Sequence, residues 1–359
     1  MIRHLELFAG IGGFRKAIDL IGKDFRIETK CIGFSERDKY ATQTYKANFN
    51  TSNEIEIGDI ELFASNRSNI SKLSDFDLVT GGFPCQSFSM MGKQKGFEDP
   101  RGNTFYSITN ILKVKNKTPY ILLENVQRLR THDKGETFKE IVRSLNNCGF
   151  NYIYSDIFNT SNFGLAQTRN RIFIFGSRKK LPINFQFSQE AVLNSFSQLK
   201  QQVSILRQKS VLDILSKSVE EKYYLSDKIK PTILANGSKN FLSKSEINQL
   251  IARPLTASMV KMHRACQDNY YSDDFINAKM PKKYKEKVFT KKELERHRIR
   301  KLTPQEAFAL QGFEKEFHYK AKTGGISDHQ LLKQAGNAVS VNTVYAILYH
   351  LLIKNKLIK

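Results

Sequence analysis

Residues 4–13 read His4-Leu5-Glu6-Leu7-Phe8-Ala9-Gly10-Ile11-Gly12-Gly13. A mostly apolar run of strand length is followed by three glycines within four residues, then by an amphipathic stretch over 14–22. Strand, tight turn and helix in that order open a βα unit. The unit recurs downstream. Further strands are predicted at 28–34, 78–81, 120–123 and 171–176, and further helices at 39–49, 104–113 and 138–148. This alternation predicts an α/β fold, a parallel sheet wound on both faces, whose ligands bind beyond the carboxyl ends of its strands. Glycines and acids collect at those ends. Gly10, Gly12 and Gly13 follow the first strand, Glu36 the second, Gly82-Phe83-Pro84-Cys85 the strand at 78–81, and Glu124-Asn125-Val126 the strand at 120–123.

Past residue 177 the rhythm stops, and Lys, Ser, Asn and Gln dominate. A second, irregular domain is predicted over 184–326, leaving 1–183 plus 327–359 to the first. Charge divides in a similar way. The 359 residues carry 57 Lys/Arg against 35 Asp/Glu, net +22; residues 177–301 alone hold 26 against 12, net +14. Such an excess calls for a polyanion, nucleic acid first, with an unpartnered solvated surface as the alternative. Residues 279–300 read as a loop or a solvated helix. Order returns at 301–313, where Thr303 caps, Pro304 sits in the first turn and Glu306 completes a capping box. An apolar helix is predicted at 341–352.

Composition excludes other classes. Hydrophobic residues at 40% argue against a disordered chain. No run approaches 18 consecutive apolar residues, which argues against a membrane span, and the first ten residues are too polar for a signal peptide. An intracellular protein with no membrane partner is expected. Cys31, Cys85, Cys148 and Cys266 form no CxxC pair and have no His at zinc spacing, so neither a disulfide framework nor a metal site is expected.

Phe8 to Gly13 do not meet the dinucleotide pattern GxGxxG. With Glu36 suited to a ribose diol and Asp59 to an adenine amino group, they suggest a nucleoside cofactor without a pyrophosphate grip. An ordinary tight turn with solvent-facing acids is the alternative. Cys85, after a strand and beside Pro84, sits where a thiolate nucleophile can be held and activated; Cys31, inside an apolar run, reads as structural. Residues 92–102, polar with three glycines, read as a mobile loop able to close on a substrate. Glu124, at the end of an apolar strand, can stay protonated and donate a proton; a helix-capping or salt-bridged Glu is the alternative, and the commoner one for a lone Glu. Arg169 and Arg171, two apart on an entering strand, fall on one face and could position a phosphate or a carboxylate; a surface pair is the alternative.

In order and strand-end placement these motifs resemble the bacterial DNA (cytosine-5) methyltransferases of restriction–modification type. The resemblance covers residues 4–176 and 298–352 and misses the middle. It rests on residues 8–13, Glu36, Gly58-Asp59-Ile60, residues 82–86 and 93–102, residues 124–126, Gln167-Thr168-Arg169-Asn170-Arg171, residues 302–306 and 310–313, and Gly336-Asn337-Ala338-Val339. It implies a Rossmann-like methyltransferase sheet, mostly parallel, with a smaller target-recognition domain.

The resemblance further implies S-adenosylmethionine as cofactor, held by Phe8, Gly10, Gly12, Gly13, Glu36, Arg37, Asp59, Ile60, Asn337 and Val339. Arg37 departs from the family, which commonly has an aromatic or apolar residue there; its guanidinium either stacks on adenine or contributes nothing. Glu314, where Pro is common, affects only a turn. Cys85 is implied as nucleophile at C6 of cytosine and Glu124 as proton donor toward N3, with Arg169 and Arg171 holding base, phosphate and Glu124. Gln86, Ser89, Lys93 and Arg101, with Arg253 and Thr256 of the middle segment, are implied on the substrate side. The expected partner is double-stranded DNA with its cytosine flipped out, and the expected setting a monomer in the bacterial cytoplasm, at the nucleoid, beside a cognate restriction endonuclease. A tRNA methyltransferase of the same family and a catalytically silent DNA-binding protein are the alternatives. The intact Pro84-Cys85-Gln86 and the long middle segment favour DNA.

Overall fold

The computed structural model describes residues 1–84, 104–199, 202–238 and 241–358. They form two compact units. The first comprises residues 1–159, 170–205 and 339–359, the second residues 160–169 and 206–338. Compactness thus divides the chain at 159/160, 169/170, 205/206 and 338/339, where composition set the expected boundaries at 183/184 and 326/327.

In the first unit the elements run β1 (Ile2–Leu7), α1 (Gly13–Phe25), β2 (Thr29–Phe34), α2 (Lys39–Asn48), β3 (Ile55–Glu56), α3 (Ile60–Ala64), α4 (Arg67–Ser71), β4 (Leu78–Gly82), α5 (Thr104–Val114), β5 (Tyr120–Val126), α6 (Glu136–Asn147), β6 (Tyr152–Asn159), β7 (Asn170–Ser177) and α7 (Gln189–Ser197). The seven strands form one sheet in the order β3-β2-β1-β4-β5-β7-β6. β1 runs parallel to β2 and β4, and β4 parallel to β5. β7 is antiparallel to both β5 and β6. The chain winds outward from β1 to β3, then returns to β4 on the other side of β1. The direction of winding reverses there, so a crevice forms beyond the carboxyl ends of β1 and β4.

Periodicity explains the packing. α1 turns Phe14, Ala17, Ile18 and Ile21 inward at the spacing of one helix face, and ends at Arg26 in the left-handed region, φ 55°. The main core gathers Leu5, Leu7, Val79, Ile121, Leu123, Ile172 and Ile174 from the strands with Phe105, Ile108, Leu112, Ile141 and Leu145 from α5 and α6. Each such side chain contributes about 2 kcal/mol by leaving water. The helix Val341–Leu348 packs on α1, and its Tyr345 hydroxyl donates to Asp24 at 2.7 Å. The helical run Asp328–Lys354 is long and apolar enough to cross a membrane by length and composition, but 89% of its apolar window is buried inside the protein, as in a core helix.

The second unit is irregular, as expected from composition. A small core of Leu225, Ile233, Leu234, Ile247, Ala265, Tyr270 and Ile299 is drawn from widely separated stretches. Beside it Tyr270–Ser272 pairs antiparallel with Ile299–Lys301. The Thr303 capping box forms as predicted, with Pro304 in the first turn. Its Glu306 also pairs with Arg300 at 2.8 Å, both side chains fully buried.

Candidate active site

The turn after β1 is stitched to the end of β2. Phe8 takes the left-handed conformation, φ 53°, which costs a non-glycine residue about 1–3 kcal/mol and persists where surrounding structure imposes it. Here its N–H donates to Ser35 Oγ at 3.0 Å, and Ala9 N–H to Ser35 O at 2.8 Å. Gly10 N–H donates to Glu36 Oε2 at 2.9 Å, and Asp38 N–H to Glu36 Oε1 at 2.8 Å. Gly12 has φ 87°, and a Cβ there would stand 2.3 Å from Phe49. Gly13 lies against Val339, whose Cγ1 would be 2.5 Å from a Cβ. Ser35 and the Phe49 contact carry no motif signal, and sequence reading missed both.

This cradle fits a nucleoside. Among the described residues nothing lies within 4 Å of where a Cβ would stand on Gly10 or Gly58, the glycines beyond β1 and β3. Each Glu36 oxygen accepts one described backbone bond and keeps a lone pair for a ribose hydroxyl. Asp59 caps α3, its Oδ1 accepting from Glu61 N–H at 2.8 Å, and Ile60 is buried in the main core. Arg37 is exposed and makes no hydrogen bond with a described residue. Asn337 ends the helix Asp328–Asn337 of the second unit and is exposed.

The next strand ends carry the acid. β4 and β5 pair Gly82 with Glu124, and a Cβ on Gly82 would stand 3.2 Å from Glu124 Oε2, so a larger residue would crowd the carboxylate. Arg171 Nε donates to Glu124 Oε1 at 2.9 Å, with side chains only 19% and 12% exposed. Asn125, 3% exposed, donates from Nδ2 to Phe83 O at 2.7 Å and accepts from Val126 N–H at 2.8 Å. The chain is thereby fixed two residues before Cys85. Cys85, Gln86, Ser89, Lys93 and Arg101 lie outside the described residues. Burial pushes the Cys31 and Cys148 thiols up, which suits them to packing rather than to nucleophilic chemistry.

Arg169 requires a correction. β7 begins at Asn170, so the two-residue alternation that would put Arg169 and Arg171 on one face does not extend to Arg169. Arg169 is 2% exposed within the second unit. It donates to Leu255 O at 2.7 Å, Gly336 O at 3.1 Å and Ala338 O at 3.0 Å. It ties Leu255, which lies between Arg253 and Thr256, to the residues flanking Asn337. Thr256 is exposed, and its backbone packs so closely that a Cβ on Gly336 would stand 2.2 Å from Thr256 C. Arg253 donates from Nε to Ala265 O at 3.1 Å, and Asn269 brackets its backbone. Among the described residues no group of three or more His, Cys, Asp or Glu could hold a metal ion.

Comparison with known proteins decides the family. The model of the C-5 cytosine-specific DNA methylases matches residues 2–352. The chain belongs to that family. It is a DNA cytosine-5 methyltransferase. Among its relatives, the type II methyltransferase M1.ScrFI of Lactococcus lactis subsp. cremoris is 34% identical over 345 residues, 96% of this chain and 76% of the relative. M.HaeII of Haemophilus aegyptius is 35% identical over 96% of this chain and 91% of its own length. The methyltransferase EhMeth of Entamoeba histolytica shares the fold with a TM-score of 0.72 at 20% identity, covering 100% of this chain and 99% of that one. The Rossmann-like methyltransferase sheet expected from the motifs is thus the fold of this DNA methylase.

Proposed function

We propose that this methylase transfers a methyl group from S-adenosylmethionine to C5 of a flipped-out cytosine in double-stranded DNA, through a covalent bond between Cys85 and C6. The observation that carries the reading is the Glu124–Arg171 pair beside a chain that Asn125 fixes just before Cys85. Phe8, the glycine turn, Glu36, Asp59, Ile60 and Val339 hold the cofactor, with Asn337 from the C-terminal segment. The cofactor, when bound, supplies an electrophilic methyl group for C5.

The residues divide the work on the base. Unpairing and unstacking the cytosine costs a few kcal/mol, and Gln86, Ser89, Lys93 and Arg101 act on the strand from which it comes. The Cys85 thiolate attacks C6, and Glu124, oriented by Arg171, gives a proton to N3. That addition turns C5 into an enamine-like carbon nucleophile. After C5 is methylated, a base takes its proton and Cys85 leaves C6. The middle segment, with Arg253 and Thr256, supplies phosphate contacts and base-edge readout. Arg169 acts from its carbonyl bonds, as a brace for that segment.

The named relatives are type II methyltransferases. The corresponding role here is the modification half of a restriction–modification system, performed by a monomer in the bacterial cytoplasm, at the nucleoid, beside an endonuclease with the same site. Duplex DNA containing 5-fluorocytosine tests the mechanism. The fluorine blocks only the elimination, so a stable Cys85–DNA adduct should accumulate with S-adenosylmethionine, and none with Cys85→Ala. Methyl transfer to tRNA alone, or no adduct from a chain that methylates DNA, would overturn it.

A further inference from the structure

Two short helices, Pro281–Glu286 and Lys291–Arg296, stand where the sequence reads as a loop or a solvated helix. They are held in place. Phe275, Tyr284, Phe289 and His297 form successive ring contacts with centroids 6.3, 5.5 and 5.2 Å apart. Thr290 and Glu293 close a capping box at the start of the second helix. Lys285 Nζ donates to Gln249 Oε1 at 3.1 Å, joining the first helix to the stretch that leads to Arg253.

What this scaffold displays is positive charge without carboxylate partners, Lys287 lying over the Tyr284 ring at 5.5 Å from its centroid. Lys279, Lys282, Lys283, Lys287 and Lys292 are exposed, and none forms an ion pair with a described residue. Elsewhere in the unit Lys222, Lys230, Lys244 and Lys322 each pair with a carboxylate. Of the acids in the stretch, Glu286 is exposed on the first helix and forms no ion pair with a described residue, one carboxylate among the seven lysines of residues 279–292. Glu293 is taken by its capping box and Glu295 faces Lys291. Holding like charges together on an ordered surface costs energy unless an anion meets them.

We propose that residues 279–292 are a sequence-independent rail for the phosphates of duplex DNA flanking the methylated site. The inference rests on the reading that the chain acts on duplex DNA. Lysine ammonium groups are point charges suited to phosphate and poorly suited to bidentate reading of base edges. A six-residue helix is about 9 Å long, the axial rise of about three phosphates of one strand. Tyr284 and Phe289 are half-buried against each other, so the stretch lacks the open aromatic faces on which single-stranded nucleic acid stacks.

The test uses the full chain with Lys282, Lys283, Lys287 and Lys292 all replaced by Ala, and two duplexes carrying the methylation site, located first by bisulfite sequencing of a host genome expressing the wild type. One duplex ends just outside the site; the other extends on both sides. The wild type should prefer the longer duplex, and the variant should lose that preference. The salt slope on the longer duplex should fall by about 0.9 for each phosphate contact removed. The same four positions changed to Arg should keep the wild-type slope. An unchanged slope in the Ala set, or a lost slope in the Arg set, would overturn the rail. So would a loss of binding seen on structured RNA and not on duplex DNA. Methyl transfer by the wild type to the short duplex tests the parent reading separately, so the rail can fail while that reading stands.

Discussion

Arg171 Nε lies 2.9 Å from Glu124 Oε1 across the antiparallel strands β5 and β7. The register sets Glu124 opposite Phe173 and Val126 opposite Arg171, so the pair is diagonal, a separation that long side chains span. Two ladder positions thus fix an acid at the end of β5, in register with Gly82 of β4.

If the pair acts as a unit, its losses will not add. Glu124→Gln and Arg171→Ala are each expected to slow single-turnover methyl transfer by about 10²- to 10⁴-fold, the contribution of a positioned proton donor. The double variant should be little slower than the worse single one. Rapid-quench measurement of labelled methyl incorporation checks this, and multiplied losses would mean independent roles.

Asn125 is a strut between the strand of Glu124 and the chain that leads to Cys85, the proposed nucleophile. Asn125→Ala leaves a carbonyl and an N–H without their partner, at a cost of about 2 kcal/mol or more. Asn125→Asp keeps the acceptor for Val126 N–H and removes the donor to Phe83 O. Both are expected to lower kcat on DNA with KM for S-adenosylmethionine unchanged. A normal kcat in the Asp variant would show that the Phe83 bond positions nothing.

The two neighbouring arginines should separate in a stability measurement. Arg169→Lys keeps the charge but loses the planar fork that reaches three carbonyls. With at least one buried carbonyl left unpaired, urea unfolding should show a loss of about 2–4 kcal/mol. Arg171→Lys keeps a cation opposite Glu124 in a largely buried pair that accounts for one hydrogen bond rather than three, and should cost only about 1 kcal/mol. Equal losses would contradict the division between brace and acid-holder.

What was legible in the sequence follows from how local each signal is. Gly10, Glu36 and Gly82 mark strand ends within a few residues of themselves, so β1, β2, β4, β5 and β7 were predicted to within a few residues. β3 has only two residues. β6 is half-exposed along most of its length, which erases the alternation that marks a strand, and its place is set by pairing with β7. Asn125 and Arg169 take their roles from partners 42, 86, 167 and 169 residues away, which no local pattern encodes. In the second unit the core joins short pieces from Leu225 to Ile299, so composition marked its existence and not its architecture.

Glu6 shows how a buried group makes stability depend on pH. It lies fully buried on β1, accepting from Arg15 N–H at 3.2 Å and the Tyr45 hydroxyl at 3.0 Å. Burial pushes its carboxyl from 4.5 up to about 8, against the smaller opposing pull of the Arg15 and Tyr45 hydrogen bonds and the Arg15 charge. The folded chain therefore keeps a proton that the unfolded chain releases, and this group's contribution falls as pH rises from 4.5 to about 8, then levels. Burial lowers the His4 imidazole from 6.5 to about 3, giving an opposite slope at lower pH. His4 is common to wild type and Glu6→Gln, so it cancels in their difference. Gln keeps an acceptor and never titrates. The Tm of Glu6→Gln relative to wild type should rise between about pH 5 and 8 and stay level above. A constant difference across that range would mean that Glu6 is ionised in the folded chain.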